Sequence, residues 1–365
     1  VSGSGVVIDQ ALSPTAQPPI EAPVKVTARN IYTGLYAVDV FDVAPGLSLT
    51  ASGRLNLVKI RLQDRLGTAL NGSHSFTRFN PGAGATWKIA SGVTLYGGYS
   101  ESNRAPTAGE LSCADPASPC PLGAFLVSDP PLKQVVSHNL EAGARGIWAP
   151  ASLPGVLDWS VGAYDTNIAN DILLLATDIN GFGFFQNAGD TRRRGIDARI
   201  GYRDDRWKMN FSYSYLAATF RDAETLSSNS PAADASGLIH VHPGDRLPLN
   251  PANRLTFSID YAATADWGVG GDVRYQSGQY LAGDQSNRER QLPGYMTLAL
   301  HSAYRIAPGY TVFGEIDNVF DKRYSTYGAF TELDGLPPSF TLSDPRTLSP
   351  APGRLFFAGV RMTLD

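Results

Sequence analysis

Apolar and polar residues take turns along most of this chain. From Trp207 onward, Trp207, Met209, Phe211, Tyr213 and Tyr215 share one parity, while Lys208, Asn210, Ser212 and Ser214 share the other. Successive side chains of a strand point to opposite faces, so this period of two describes a β-strand between two solvents. The pattern recurs. Leu47, Leu49, Ala51 and Leu55 oppose Ser48, Thr50, Ser52 and Arg54; Leu255, Phe257, Ile259 and Tyr261 oppose Arg254, Thr256, Ser258 and Asp260; Phe356, Ala358, Val360, Met362 and Leu364 oppose Arg361 and Thr363. Expected strands include Asn30–Val43, Leu47–Leu57, Phe79–Ile89, Val93–Ser102 and Thr311–Phe320. Gly183–Tyr202 reads as one long strand, and the strand through Trp159 reads as continuing towards Leu175.

The connections are sorted. Pro45-Gly46, Ser91-Gly92, Pro154-Gly155, Asp204-Asp205, Ala265-Asp266 and Pro308-Gly309 mark tight turns, and the intervening loops are long and polar. Aromatics of the apolar parity (Trp148, Trp159, Tyr202, Trp207, Tyr261, Trp267 and Tyr304) gather at the tight-turn ends. Short turns on one side, long loops on the other and an interfacial aromatic girdle predict an all-β fold, an antiparallel transmembrane β-barrel with outer-membrane lipid against its apolar face. A soluble sandwich would have shorter strands and loops not sorted by side.

Composition narrows this reading. Only 18% of the 365 residues are charged, below the roughly 25% of soluble domains. The longest apolar runs, such as Ile172–Ala176, fall far short of the ~18 residues of a spanning helix. A net charge of -4 gives no reason to expect nucleic acid as a partner. The two cysteines, Cys113 and Cys120, close a short Pro-rich loop and are expected to form a disulfide, as suits an oxidising compartment.

The count of strands is about thirteen, from Asn30 to the C-terminus, with 1–29 read as an extracellular loop segment and 30–365 as barrel. Antiparallel closure requires an even number, so thirteen strands are expected to be the C-terminal part of a larger barrel. The alternative is a further strand within Val1–Arg29, where Val24–Ala28 is the candidate.

A set of collinear motifs carries a family resemblance. They are Ser102-Asn-Arg-Ala-Pro-Thr-Ala-Gly-Glu-Leu; Asp129-Pro-Pro-Leu-Lys-Gln with Asn139-Leu-Glu-Ala-Gly; Phe185-Gln-Asn-Ala-Gly-Asp-Thr-Arg-Arg-Arg-Gly-Ile-Asp; Gly244-Asp-Arg-Leu-Pro; Leu292-Pro-Gly-Tyr; and Asp317-Asn-Val-Phe-Asp-Lys-Arg-Tyr. In this order the chain resembles TonB-dependent outer-membrane receptors over about Asn30 to Asp365. The resemblance implies a plugged barrel of about 22 strands that imports scarce ligands such as ferric siderophores. It also implies a Gram-negative outer-membrane location and a TonB complex as partner through a plug domain not present in this sequence. The ending Leu364-Asp365 departs from the aromatic that usually closes such barrels.

Several residues invite chemistry and are better read as structure. The triple Arg192, Arg193, Arg194 alternates faces and is expected to position a strand. His240 and His242 form an H-x-H pair without a third ligand. His301 and Ser302 are adjacent on a strand and point apart, so they form no nucleophile–base pair. Glu315 and Asp317 are expected on the lumen face, where salt bridges to a plug are the natural use. No catalytic residue, metal site or cofactor is expected, and the chain reads as a non-enzyme. Ligand-binding candidates are the mouth residues Tyr280, Arg288 and Arg290 within Gln279–Gln291, with Tyr324 and Tyr327 beyond Arg323, because aromatics and arginines suit anionic aryl-bearing chelates. The alternatives are a passive channel of about fourteen strands, even as closure requires, and an inactive receptor fragment.

Overall fold

The computed structural model describes residues 26–68, 71–111, 120–121, 132–150, 154–176, 182–187, 189–330 and 344–363. The expected Cys113–Cys120 disulfide, the side chain of Cys120 and the Leu364-Asp365 end lie outside the described residues. Thirteen strands form one sheet. They are β1 (Val26–Ala44), β2 (Leu47–Asp64), β3 (Gly72–Ala90), β4 (Val93–Arg104), β5 (Val135–Trp148), β6 (Val156–Ala169), β7 (Thr191–Arg203), β8 (Trp207–Phe220), β9 (Asn253–Ala262), β10 (Trp267–Gln276), β11 (Tyr295–Ala307), β12 (Tyr310–Asp317) and β13 (Leu355–Met362). Each strand pairs antiparallel with its chain neighbours, and β1 and β13 are the two edges. The expected all-β sheet of about thirteen antiparallel strands is therefore observed. No described helix is long and apolar enough to cross a membrane.

The first strand begins at Val26, so residues 26–28 belong to the strand expected from Asn30 rather than to an additional one. The turns are tight for a physical reason. Gly46 and Gly309 sit at φ 77° and 76°, where a side chain would clash with its own backbone, and each follows a proline that presets the turn.

The row of apolar side chains stands outward. Leu35, Phe79, Trp87, Leu140, Trp148 and Val360 are all exposed, as are Trp267 and Tyr304 of the aromatic girdle. Trp207 faces Tyr261 across β8 and β9 with ring centroids 4.3 Å apart. Hydrocarbon is the solvent such a wall requires, since water would leave an apolar surface of this extent uncovered.

Two expected strands are cut short. β6 ends at Ala169 and a separate strand, Ile172–Ala176, follows. The expected Gly183–Tyr202 strand divides into Phe182–Asn187 and β7. Asn170 at φ 55° and Gly189 at φ 66° are the breaks. They turn both segments out of the wall into a three-stranded sheet with Cys120–Pro121. Asn187 holds that sheet to its surroundings: its amide donates to the carbonyls of Asn170 (2.8 Å) and Lys133 (3.2 Å) and accepts from the Lys133 N–H (2.8 Å).

The dry cores lie on the long-loop side. One joins Val58, Ile60 and Leu62 of β2 to Leu111, Leu132, Val135 and Ile172. A second joins Ala218 and Phe220 of β8 to Leu226, Ile239, Val241 and Leu247, which belong to a hairpin (Glu224–Ser227 with Leu238–Val241) and its flank. A third gathers Leu281, Leu292 and Phe330. Full burial of one such side chain contributes about 1.5–3 kcal/mol. The Arg-Ala-Pro-Thr motif supplies the short helix Ala108–Leu111 at the rim of the first core. Thr107 and Glu110 cap it reciprocally (2.7 and 3.1 Å), Arg104 pairs with Glu110 at 2.7 Å, and Leu111 is sealed beneath.

Candidate functional site

The inward face of β8–β11 near the long loops carries two registered rows. Ser214, Arg254, Gln276 and Tyr295 lie side by side across four strands, and Ser212, Thr256, Arg274 and Thr297 form the next row. Both rows alternate with the outward Leu255, Phe257 and Tyr275, so their polar ends face away from hydrocarbon. Arg254 and Arg274 are exposed on that face.

Two family-like motifs complete the arrangement. Tyr295, which ends Leu292-Pro-Gly-Tyr, stacks on Tyr324, which ends Asp317-Asn-Val-Phe-Asp-Lys-Arg-Tyr, with ring centroids 4.1 Å apart and 30° between planes. Asn318 and Asp321 reach φ 50° and 51°, reversing the chain just after β12. The Asn318 side chain exchanges hydrogen bonds with Lys322 (2.9 Å each way), and Asp321 accepts from the Arg354 N–H at 2.9 Å. This turn delivers Tyr324 to Tyr295. An aromatic pair beside two arginines can stack on an aryl group and neutralise an anionic chelate.

The loop above is a knitted cap. Gln279 bridges to Leu292, Ala282 bridges to Ala329, and the Gln279 amide donates to the Thr326 carbonyl at 3.1 Å. Ser228 donates to the Gly283 carbonyl, and Asn287 accepts from the Arg246 N–H and donates to its carbonyl. Asp284 is fully buried and accepts from the N–H groups of Arg288 (3.0 Å) and Glu289 (3.1 Å). Burial pushes its carboxyl above the usual carboxylate range, against those two donors.

The sequence-predicted residues distribute unevenly on this frame. Tyr324 joins the stack with Tyr295. Tyr280 is half-buried, its carbonyl accepting from the Leu249 N–H at 2.9 Å. Arg288 and Arg290 stand exposed on the cap, and Tyr327 is 43% exposed on the short strand Ser325–Phe330. Sequence reasoning missed Tyr295, Arg254 and Arg274. Parity alone placed the two arginines on the polar face, and the Pro-Gly-Tyr motif pointed to Tyr295.

The residues read as structural have structural partners. Arg192 forms a double hydrogen bond with Asp165, while Arg193 turns inward to Asp171 (3.0 Å) and Thr191 (2.8 Å). His240 contacts Thr225 at 3.2 Å and His242 lies 3.7 Å from Asp245, so the two rings serve separate partners. Among the described residues no group of three metal-ligating side chains occurs. His301 contacts Asp260 at 2.8 Å and registers with Glu315, whereas Ser302 accepts from the Trp267 indole at 3.0 Å.

Comparison with known proteins agrees with this geometry. A family model described as the β-barrel of TonB-dependent receptor-like proteins matches residues 9–319. The metal-pseudopaline receptor CntO of Pseudomonas aeruginosa is 28% identical over 196 residues, 52% of this chain and 25% of the relative. The siderophore receptor PiuA from Acinetobacter baumannii shares the fold with a TM-score of 0.67 at 16% identity, over 92% of this chain and 44% of that one. The copper transporter OprC also gives 0.67, at 19% identity, over 92% and 48%. The chain thus spans a quarter of the curated relative and less than half of these solved structures.

Proposed function

This chain belongs to the TonB-dependent receptor family, and from that premise we propose that it forms wall and mouth of an outer-membrane importer for a metal chelate, most simply a ferric siderophore. The observation that carries the ligand class is the Tyr295–Tyr324 stack beside Arg254 and Arg274 on the inward face. The relatives support it, since the names of three of them refer to metal, siderophore or copper. In this reading the sheet supplies pore wall, and the capped loops gather ligand. Energy comes from the TonB complex through a plug, and no catalytic step is assigned. Tyr280, Arg288, Arg290 and Tyr327 are proposed as outer contacts above that stack.

The test uses the full-length protein with a panel of ferric catecholate, hydroxamate and carboxylate chelates. Tyr324→Ala and Arg274→Gln are expected to weaken binding of the accepted chelate about tenfold each, the ~1.4 kcal/mol typical of one aromatic or charge-assisted contact. Unchanged affinity in both variants removes the site from the proposal. A steady open conductance of the full-length protein in planar bilayers favours a passive channel instead.

A further inference from the structure

Strand β2 rises past the first core with strict alternation. Val58, Ile60 and Leu62 are 6%, 1% and 5% exposed and packed inward, whereas Leu57, Lys59, Arg61 and Gln63 between them are exposed. Lys59 and Arg61 therefore stand on the outer wall, in line with Leu57, Leu55 and Leu49 below. The neighbouring strand places Arg29 directly across from Arg61, and Ile31, itself exposed, across from Lys59. On the other side the cross-strand partners are Ser73 and Ser75, both exposed hydroxyls.

Like charges directly across a strand pair repel and destabilise it. Among the described residues none of Arg29, Lys59 and Arg61 has a carboxylate partner. Elsewhere on the same outward row the protein answers its own charge: Asp165 lies beside Arg194 and binds Arg192 through two hydrogen bonds. The unanswered cluster also stands at a defined height. Leu49 to Leu57 along a tilted strand spans roughly 20 Å, close to the ~25 Å apolar band of an outer-membrane barrel. The three cations begin where that band ends.

We propose that Arg29, Lys59 and Arg61, with the hydroxyls of Ser73 and Ser75, form a docking site on the outer wall for the phosphate-bearing headgroup of an outer-leaflet glycolipid. The chemistry fits the parts. Guanidinium forks bind phosphate through two donors, the ammonium adds a point charge, and the hydroxyls add neutral donors. Acyl chains below would lie on Leu57, Ile31 and Leu35. The site rests on the outer-membrane reading above.

Full-length protein extracted from outer membranes, reconstituted with lipid A carrying both phosphates or with dephosphorylated lipid A, tests it by native mass spectrometry. Retention of the phosphorylated form at least tenfold above the dephosphorylated one is expected. Lys59→Gln is expected to reduce that preference, and the Arg29→Gln/Lys59→Gln/Arg61→Gln triple to abolish it, with Arg194→Gln unchanged. Equal retention of both lipids by the unaltered protein overturns the proposal without any variant. So does a preference that survives Lys59→Gln and the folded triple, or one erased by millimolar inorganic phosphate, which would mark a free-anion site. Absence of the protein from outer-membrane fractions would instead sink the functional reading beneath it; a protein that fractionates there and shows no lipid preference sinks this inference alone.

Discussion

Below Leu55, strand β2 has an open face on either side, whereas above Leu57 every second residue is sealed against protein. The same contrast divides the molecule. Among the described residues the tight-turn half is a wall one sheet thick, with lipid-facing and lumen-facing rows and no buried apolar cluster of its own. The long-loop half carries the three buried clusters among the described residues. Strand ladders and the surrounding hydrocarbon hold the first half, because unpaired backbone in lipid costs several kcal/mol per group. Ordinary core packing holds the second. One alternation thus serves two kinds of stability, and the residues proposed to bind ligand sit where the two meet.

Separate substitutions should separate the halves. The largest effect is expected from Phe220→Ala, which empties the centre of the second core, where Phe220 is 1% exposed. A loss of about 3–5 kcal/mol in local stability follows. It should open the loops between β8 and β9 to protease while the heat-modifiable gel shift of the barrel persists. If the shift vanishes as well, wall and cap are one cooperative unit.

Next comes a pair of neighbours in β8. Phe211 lies in the lipid row between Ile200 and Phe257, and Asn210 in the lumen row between Gly201 and Ser258. Phe211→Arg is expected to cost about 2–4 kcal/mol at mid-bilayer depth. Asn210→Arg should stay within roughly 0.5 kcal/mol, as for a solvated surface position. Denaturant titration of the refolded full-length barrel reads both, and equal costs would end the assignment of faces.

The smallest effect concerns Asp284. Asp284→Ala strands two N–H donors and should loosen the Gln279–Leu292 loop by about 1–3 kcal/mol, seen as faster amide exchange there. Asp284→Asn should cost less, since burial already disfavours the charge and one carbonyl oxygen remains. An Asn variant that exchanges faster than the Ala variant would show that the charge, rather than the acceptor, organises the loop.

Wall and cap were unequally legible in the sequence. The strand starting at Trp207 announces its faces, since each residue's environment follows from its neighbour's parity. The failures at Ala169–Ile172 and Asn187–Thr191 share a cause. Left-handed φ values at Asn170 and Gly189 redirect the chain there, and period two carries no record of that. Tyr280, Arg288 and Arg290 were named because their loop is rich in suitable side chains. Their final positions depend on Asp284, Asn287 and Ser228 tying two loops together, partners as distant as 55 residues in the sequence.

Face, turn side and solvent were thus determined by the sequence alone, because in a strand one residue's direction dictates the next. Which loop residues meet was decided by the tertiary structure. Contacts such as Tyr295 on Tyr324 arise from a turn, a cap and a registered sheet acting together, and no local period encodes a distance between segments that find each other only after folding.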